Sequence, residues 1–125
     1  MGACYSVDFT VKFLDRKGAE NAMRDYIKKH DGVDCRFSIE SEDNLKDLDS
    51  LIGVFLASHQ HNFRKDDEDK DGFITYTSFF DASYGWHGVM WNMFDTICQF
   101  VADGSTLLID DEGQTTYTKE GGAIV

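Results

Sequence analysis

The sequence predicts an α+β fold: a single domain in which three helices pack on a mainly antiparallel sheet, in the order β, α, β, α, β, β, α, β, β. Apolar and polar residues alternate from Tyr5 to Phe13 and again from Val33 to Ile39, the pattern of strands covered on one face. Three other segments repeat apolar residues at three- and four-residue intervals, the pattern of helices with one buried stripe. A length of 125 residues with 42% hydrophobic content, no proline and no low-complexity linker suits one compact core.

Tyr5, Val7, Phe9, Val11 and Phe13 alternate with polar residues and place a first strand at 4–14. Asp15 can cap the helix that follows, in which Ala19, Met23, Tyr26 and Ile27 share a face, while Lys28, Lys29 and His30 complement the dipole before Gly32 ends it. Val33, Cys35, Phe37 and Ile39 alternate again as a second strand. Ser41 or Asp43 then caps a second helix with the stripe Leu45, Leu48, Leu51, Ile52, Phe55 and Leu56. A hairpin is expected next, with strand residues around His61 and Phe63, a charged turn at 65–72 and a strand at 73–80. A third helix spans 84–102 and closes at Asp103-Gly104. On it Trp86, Val89, Met90, Met93, Phe94, Ile97, Phe100 and Val101 occupy one arc of about 140° at 100° per residue, with His87, Trp91 and Cys98 beside it. Strands at 106–109 and 114–118 form a last hairpin around Asp111-Glu112-Gly113, and 121–125 adds a short edge segment.

The chain carries 23 acidic and 12 basic side chains, a formal charge of −11. Its ten Phe, five Tyr and two Trp exclude an acidic disordered tail. No apolar run approaches the roughly 18 residues that cross a bilayer, so no membrane partner is expected. Direct nucleic-acid binding is disfavoured too, because it needs clustered cations. The charge is unevenly placed: residues 1–32 sum to +1 and residues 33–125 to −12. The acids gather as Glu40, Glu42, Asp43, Asp47 and Asp49; as Asp66, Asp67, Glu68, Asp69 and Asp71; and as Asp110, Asp111 and Glu112. The first two clusters, with Trp91 at the border of the core as an aromatic anchor, are the expected partner-binding residues, facing a protein with a basic surface.

Chemistry is harder to find. Asp67-Glu68-Asp69-Lys70-Asp71-Gly72-Phe73-Ile74 matches a calcium loop at positions one, three, five, six and eight, making Asp67, Asp69 and Asp71 weak candidate ligands. The twelfth position is Ser78 where a bidentate Glu belongs, and the flank alternates like a strand, so a solvated hairpin turn is the expectation and no metal or cofactor is assigned. His59 and His61 would share one face of a strand but lack a third ligand with any spacing logic. Cys98 and His87 are separated by roughly 16 Å along one helix, too far for a dyad. With no glycine-rich phosphate loop and no nucleophile elbow, no catalytic residue is assigned and the chain is not read as an enzyme. The odd set Cys4, Cys35 and Cys98 fits small core residues in a reducing cytoplasm. Met1-Gly2-Ala3-Cys4-Tyr5-Ser6 matches an acylation pattern, but the strand beginning so close to it favours a structural role.

Phe79-Phe80-Asp81-Ala82-Ser83-Tyr84-Gly85-Trp86, followed by an aromatic helix and Asp103-Gly104-Ser105, resembles a group of small proteins carried by phages and mobile elements of bacteria. Met1-Gly2-Ala3-Cys4-Tyr5 and Val11-Lys12-Phe13 are similar as well, so that about half the chain is covered, with His87 standing where that pattern has an acid. The group has no assigned mechanism and contributes no catalytic residues. The resemblance implies a cytoplasmic inhibitor of a host defence complex, a class that includes anti-CRISPR proteins occupying nucleic-acid sites. Carboxylates at phosphate-like spacings would serve that role by mimicry, as a monomer or homodimer. Two other expectations stand beside it. One is a small-molecule or metal-ion binding module using Tyr84, Trp86, His87 and Trp91 or the 67–71 loop; the other is a housekeeping protein of a mobile element with no inhibitory role.

Overall fold

A computed structural model describes residues 2–30 and 45–125. Six strands form one sheet: β1 (Ala3–Val11), β2 (Arg64–Lys65), β3 (Ile74–Ala82), β4 (Thr106–Asp110), β5 (Gln114–Glu120) and β6 (Ala123–Ile124). Their order is β2-β3-β1-β4-β5-β6, with every neighbouring pair antiparallel. Both β3 and β4 run opposite to β1, so the chain between them crosses over β1 to form a split β-α-β unit. The α+β class expected from periodicity is the one observed. The strand at 33–39, Cys35, Glu40, Glu42, Asp43 and the Ser41 or Asp43 cap lie outside the described residues.

Alternation decides which side of the sheet is covered. Tyr5, Val7, Phe9 and Val11 are all buried, and they lie opposite Phe80, Ser78, Tyr76 and Ile74 on β3. On the other side Val7 and Phe9 lie opposite Ile109 and Leu107. Three helices pack over these residues: α1 (Arg16–His30), α2 (Leu48–Phe55) and α3 (Trp86–Ile97). Ala19, Met23 and Ile27, Leu51, Ile52 and Phe55, and Met90, Met93, Phe94 and Ile97 are their fully buried contributions. At the centre, the Phe9 ring meets Phe94 edge-on at 5.7 Å and stacks near Tyr76 at 6.3 Å.

The intervening residues face away from the helices and are almost all polar. Thr75, Thr10, Thr106 and Thr118 lie side by side across four strands, and Thr10 and Thr75 share a 3.0 Å hydroxyl hydrogen bond. The next row is Arg64, Thr77, Asp8, Leu108 and Thr116. Cys4 sits on this face, exposed, and donates to Asp81 at 2.9 Å. The expectation of a buried Cys4 is therefore corrected by strand parity, since the odd positions take the core. That hydrogen bond and the Asp81 charge push the thiol pKa up and keep it protonated. Cys98 is half-buried.

Element ends differ from expectation for local reasons. Asp15 caps α1 as anticipated, its Oδ1 accepting from the Gly18 amide at 3.0 Å. α2 starts later, with Asp47 as its cap. A helix begun near 43 would need the Leu45 carbonyl for residue 49, whereas the Arg24 guanidinium takes that oxygen with two bonds of 3.0 and 3.1 Å. α3 stops at Ile97 and tightens into a 3-10 turn, Cys98–Phe100, because Val101 turns extended to bridge Phe13 and the Ala102 amide donates to Lys12.

The segment before β2 departs furthest from the hairpin expected there. Ser58–Gln60 is a 3-10 turn, flanked by left-handed Ala57 at φ 53° and His61 at φ 69°. His59 and His61 are thus not strand neighbours, and both are exposed. With β2 only two residues long, side chains complete the edge of β3. The Gln60 amide donates to the Asp81 carbonyl at 2.8 Å and accepts from its N–H at 3.0 Å, and Asn62 donates to the Phe79 carbonyl at 3.0 Å. Among the described residues no helix is long and apolar enough to cross a membrane.

Candidate functional site

The two acids of the first cluster that are described both have structural partners. Asp47 Oδ1 accepts from the Ser50 amide at 2.8 Å, satisfying a donor at the α2 N-terminus, and its hydrogen bonds with Ser50 hold its pKa below the ordinary carboxylate value. Asp49 accepts the Tyr76 hydroxyl at 2.6 Å and the Lys65 ammonium at 2.9 Å. Burial, reinforced by the Asp49 hydrogen bond and charge, raises the Tyr76 pKa far above that of an ordinary phenol. Asp49 therefore clamps α2 to β2 and β3.

The second cluster is the exposed loop between β2 and β3. Asp69 organises it: Oδ1 accepts from the amides of Asp71 at 2.8 Å and Phe73 at 2.9 Å, and the Asp69 amide donates to the Phe73 carbonyl at 2.8 Å. Gly72 supplies the turn with φ +90°, a left-handed value that favours glycine. This is the solvated turn that the missing twelfth-position carboxylate pointed to. Asp69, a candidate ion ligand, has one carboxylate oxygen committed to backbone donors, and among the described residues no three His, Cys, Asp or Glu side chains are grouped to hold a metal ion. Asp66, Asp67, Glu68 and Asp71 are exposed. The Asp49–Lys65 bond carries the start of α2 to this loop, so the described parts of the first two clusters adjoin.

The third cluster lies elsewhere. Val11 pairs with Ile74 beside the 66–73 loop, while Ala3 pairs with Ala82 and Ser6 with Asp110 beside the β4–β5 turn. At about 3.3 Å per residue, Val11 beside the first turn and Ser6 beside the second are roughly 17 Å apart along β1. Among the described residues, the acids of the 66–71 loop and those of the β4–β5 turn therefore lie at separate places along β1.

At that far end the structure assembles a group that sequence reasoning missed. The His87 ring meets Asp111 Oδ2 through Nδ1 at 2.8 Å and the Tyr117 hydroxyl through Nε2 at 2.9 Å. An ionised carboxylate only accepts, so Nδ1 carries the proton on the Asp111 side, and Nε2 shares a hydrogen bond with the Tyr117 hydroxyl, which can either donate or accept. The bridge ties the start of α3 to the β4–β5 hairpin across 24 and 30 residues of sequence. His87 and Asp111 remain about a quarter exposed.

The His87 hydrogen bond lowers the Asp111 pKa. A lowered native pKa contributes stability that is present above the ordinary carboxylate range and is lost as the pH falls toward the native value. Thermal denaturation as a function of pH is expected to show an acid limb of this kind. In Asp111→Asn that limb should be shallower, with the curves converging at the acid end.

The aromatic residues grouped by sequence separate in space. Trp86 is 7% exposed, part of the core, and its Nε1 donates to the Phe55 carbonyl at 2.8 Å. Tyr84 is 57% exposed, with its carbonyl bonded to Tyr5, and Trp91 is half-buried on α3. The pocket expected from Tyr84, Trp86, His87 and Trp91 is thus corrected, because the Trp86 indole points into the core under α2. Comparison with protein-family models, with curated proteins and with solved structures found no match.

Proposed function

We propose that the protein is an acidic interaction module whose 66–71 loop, with the adjoining start of α2, docks on a basic surface of a protein partner. In its sharper form, the partner is a nucleic-acid-handling defence complex of a bacterial host, and the protein is an inhibitor carried by a phage or mobile element. The single observation supporting this reading is the Asp69-centred turn. It holds Asp66, Asp67, Glu68 and Asp71 exposed on a short, hydrogen-bonded loop, so little ordering entropy is lost when a cationic groove closes on them. Lys12, Lys65 and Lys70 temper the local charge without reversing it. Association would be fast and salt-sensitive. The module acts in the cytoplasm as a monomer or homodimer, binds no nucleic acid directly and performs no catalysis.

The test is capture of a host enzyme from bacterial lysate by the intact protein, repeated at rising salt and with competing duplex nucleic acid. The informative variant combines Asp66→Asn, Asp67→Asn, Glu68→Gln and Asp71→Asn, leaving Asp47, Asp49 and Asp69 in their structural roles. Recovery of a nucleic-acid-handling enzyme that both salt and this variant abolish is the expected result. A yield indifferent to both would remove the proposal.

A further inference from the structure

On the sheet face turned away from the helices, a shallow depression of about 290 Å³ is lined by Ser6, Asp8, Asn62, Arg64, Thr77 and Phe79. The strand register fixes their arrangement. Arg64 and Asp8 flank Thr77 on opposite sides, and Ser6 lies beside Phe79 in the next row. With strands about 4.8 Å apart, the Arg64 and Asp8 backbones are about 10 Å from one another, and Phe79 follows Thr77 by about 7 Å along β3. Both charged groups are exposed, and among the described residues neither side chain makes an ion pair or a hydrogen bond. Phe79 is 56% exposed, and the Asn62 amide on its carbonyl steadies the backbone beneath it.

We propose that this depression binds the zwitterion of a free α-amino acid with an apolar side chain. A guanidinium presents two parallel N–H donors that match a carboxylate. A carboxylate only accepts, which suits an ammonium group. The ligand's α-carbon then sits above Thr77, its carboxylate toward Arg64, its ammonium toward Asp8 and its side chain along β3 against the Phe79 ring. A ligand bearing both charges a few ångströms apart bridges two protein charges that an intervening strand keeps from meeting. Net charge argues against a polyanion, because Asp81 and Asp110 share the face and the chain carries −11. A neutral sugar could stack on Phe79 but would leave both charges without a counterpart. This inference does not rest on the acidic-loop reading.

The experiment is an amide NMR titration of the full chain with L-leucine, L-methionine and L-phenylalanine at millimolar concentration. Saturable shifts confined to residues 6–8, 62–64 and 77–79 are expected. Leucinamide, which lacks the carboxylate, and 4-methylpentanoate, which lacks the ammonium, should each bind about tenfold more weakly, the effect of losing one charge-assisted bond. Arg64→Gln should abolish the preference for leucine over leucinamide, Asp8→Asn that over 4-methylpentanoate, and Phe79→Ala that over glycine. All three side chains are exposed, so the variants should keep the wild-type amide spectrum. The proposal is overturned by the absence of saturable shifts on this face, by equal binding of the two analogues, or by glucose producing the same shifts as leucine.

Discussion

Phe9→Ala is expected to destabilise the protein by about 3–5 kcal/mol, as large-to-small changes of a buried aromatic do. Phe9 is fully buried in the central strand, between β3 and β4, with its ring against both Phe94 and Tyr76. Truncation removes apolar area and opens a cavity that neither the helix layer nor the sheet can close without moving the other. Since small domains are stable by about 5–15 kcal/mol in total, the variant should unfold at a much lower denaturant concentration or fail to accumulate. Phe79→Ala is the matched control, the same substitution in the neighbouring strand on the opposite face, where 56% exposure predicts a change within about 0.5 kcal/mol. Urea denaturation of the two variants reads the contrast directly. Similar midpoints would mean that the sheet face under the helices does not hold the core.

Asp49→Ala is expected to cost about 1–3 kcal/mol, chiefly because the Tyr76 hydroxyl, buried and donating at 2.6 Å, loses its acceptor. The Lys65 bond adds little, since both side chains are about 40% exposed. Adding Tyr76→Phe to Asp49→Ala should recover part of the loss, because removing both partners leaves no orphaned polar group. A double-mutant cycle by chemical denaturation gives the coupling, and a coupling near zero would assign Asp49 to the surface alone. Tyr76 also marks the alkaline side. Its pKa is raised in the native state, so the stability it contributes is complete below the ordinary phenol value near 10 and falls as the pH rises beyond it. Tyr76→Phe should flatten that limb.

Periodicity made the covered sheet legible because alternation along β1 and β3 and the helical stripe of α3 each follow from burying one face. Leu48, Leu51, Ile52 and Phe55 fell on α2 as their spacing implied. Its cap did not, because the deciding contact is Arg24 on the Leu45 carbonyl, a meeting of residues 21 apart. The site was less legible for the same reason. Asp49 reads locally as a helix-start acid and His87 as a residue beside a core arc. Their partners Tyr76, Lys65, Asp111 and Tyr117 are brought to them only by strand order and crossover. The Asp-Gly turn at 71–72 was recognisable because its chemistry is contained within a few residues.

The amides of Gln60 and Asn62 along β3 bear on how the protein ages in solution. A two-residue β2 leaves most of the outer side of that strand, away from β1, without a backbone neighbour, and two side-chain amides stand in for one. Exposed strand edges are templates for chain-to-chain growth, so these amides act as stoppers against it. Hydrolysis of the Asn62 amide would put a carboxylate opposite the Phe79 carbonyl, turning a donor into a repelling acceptor. Asn62→Asp should therefore weaken the protection of this edge at Phe79, while Gln60 keeps its two bonds to Asp81.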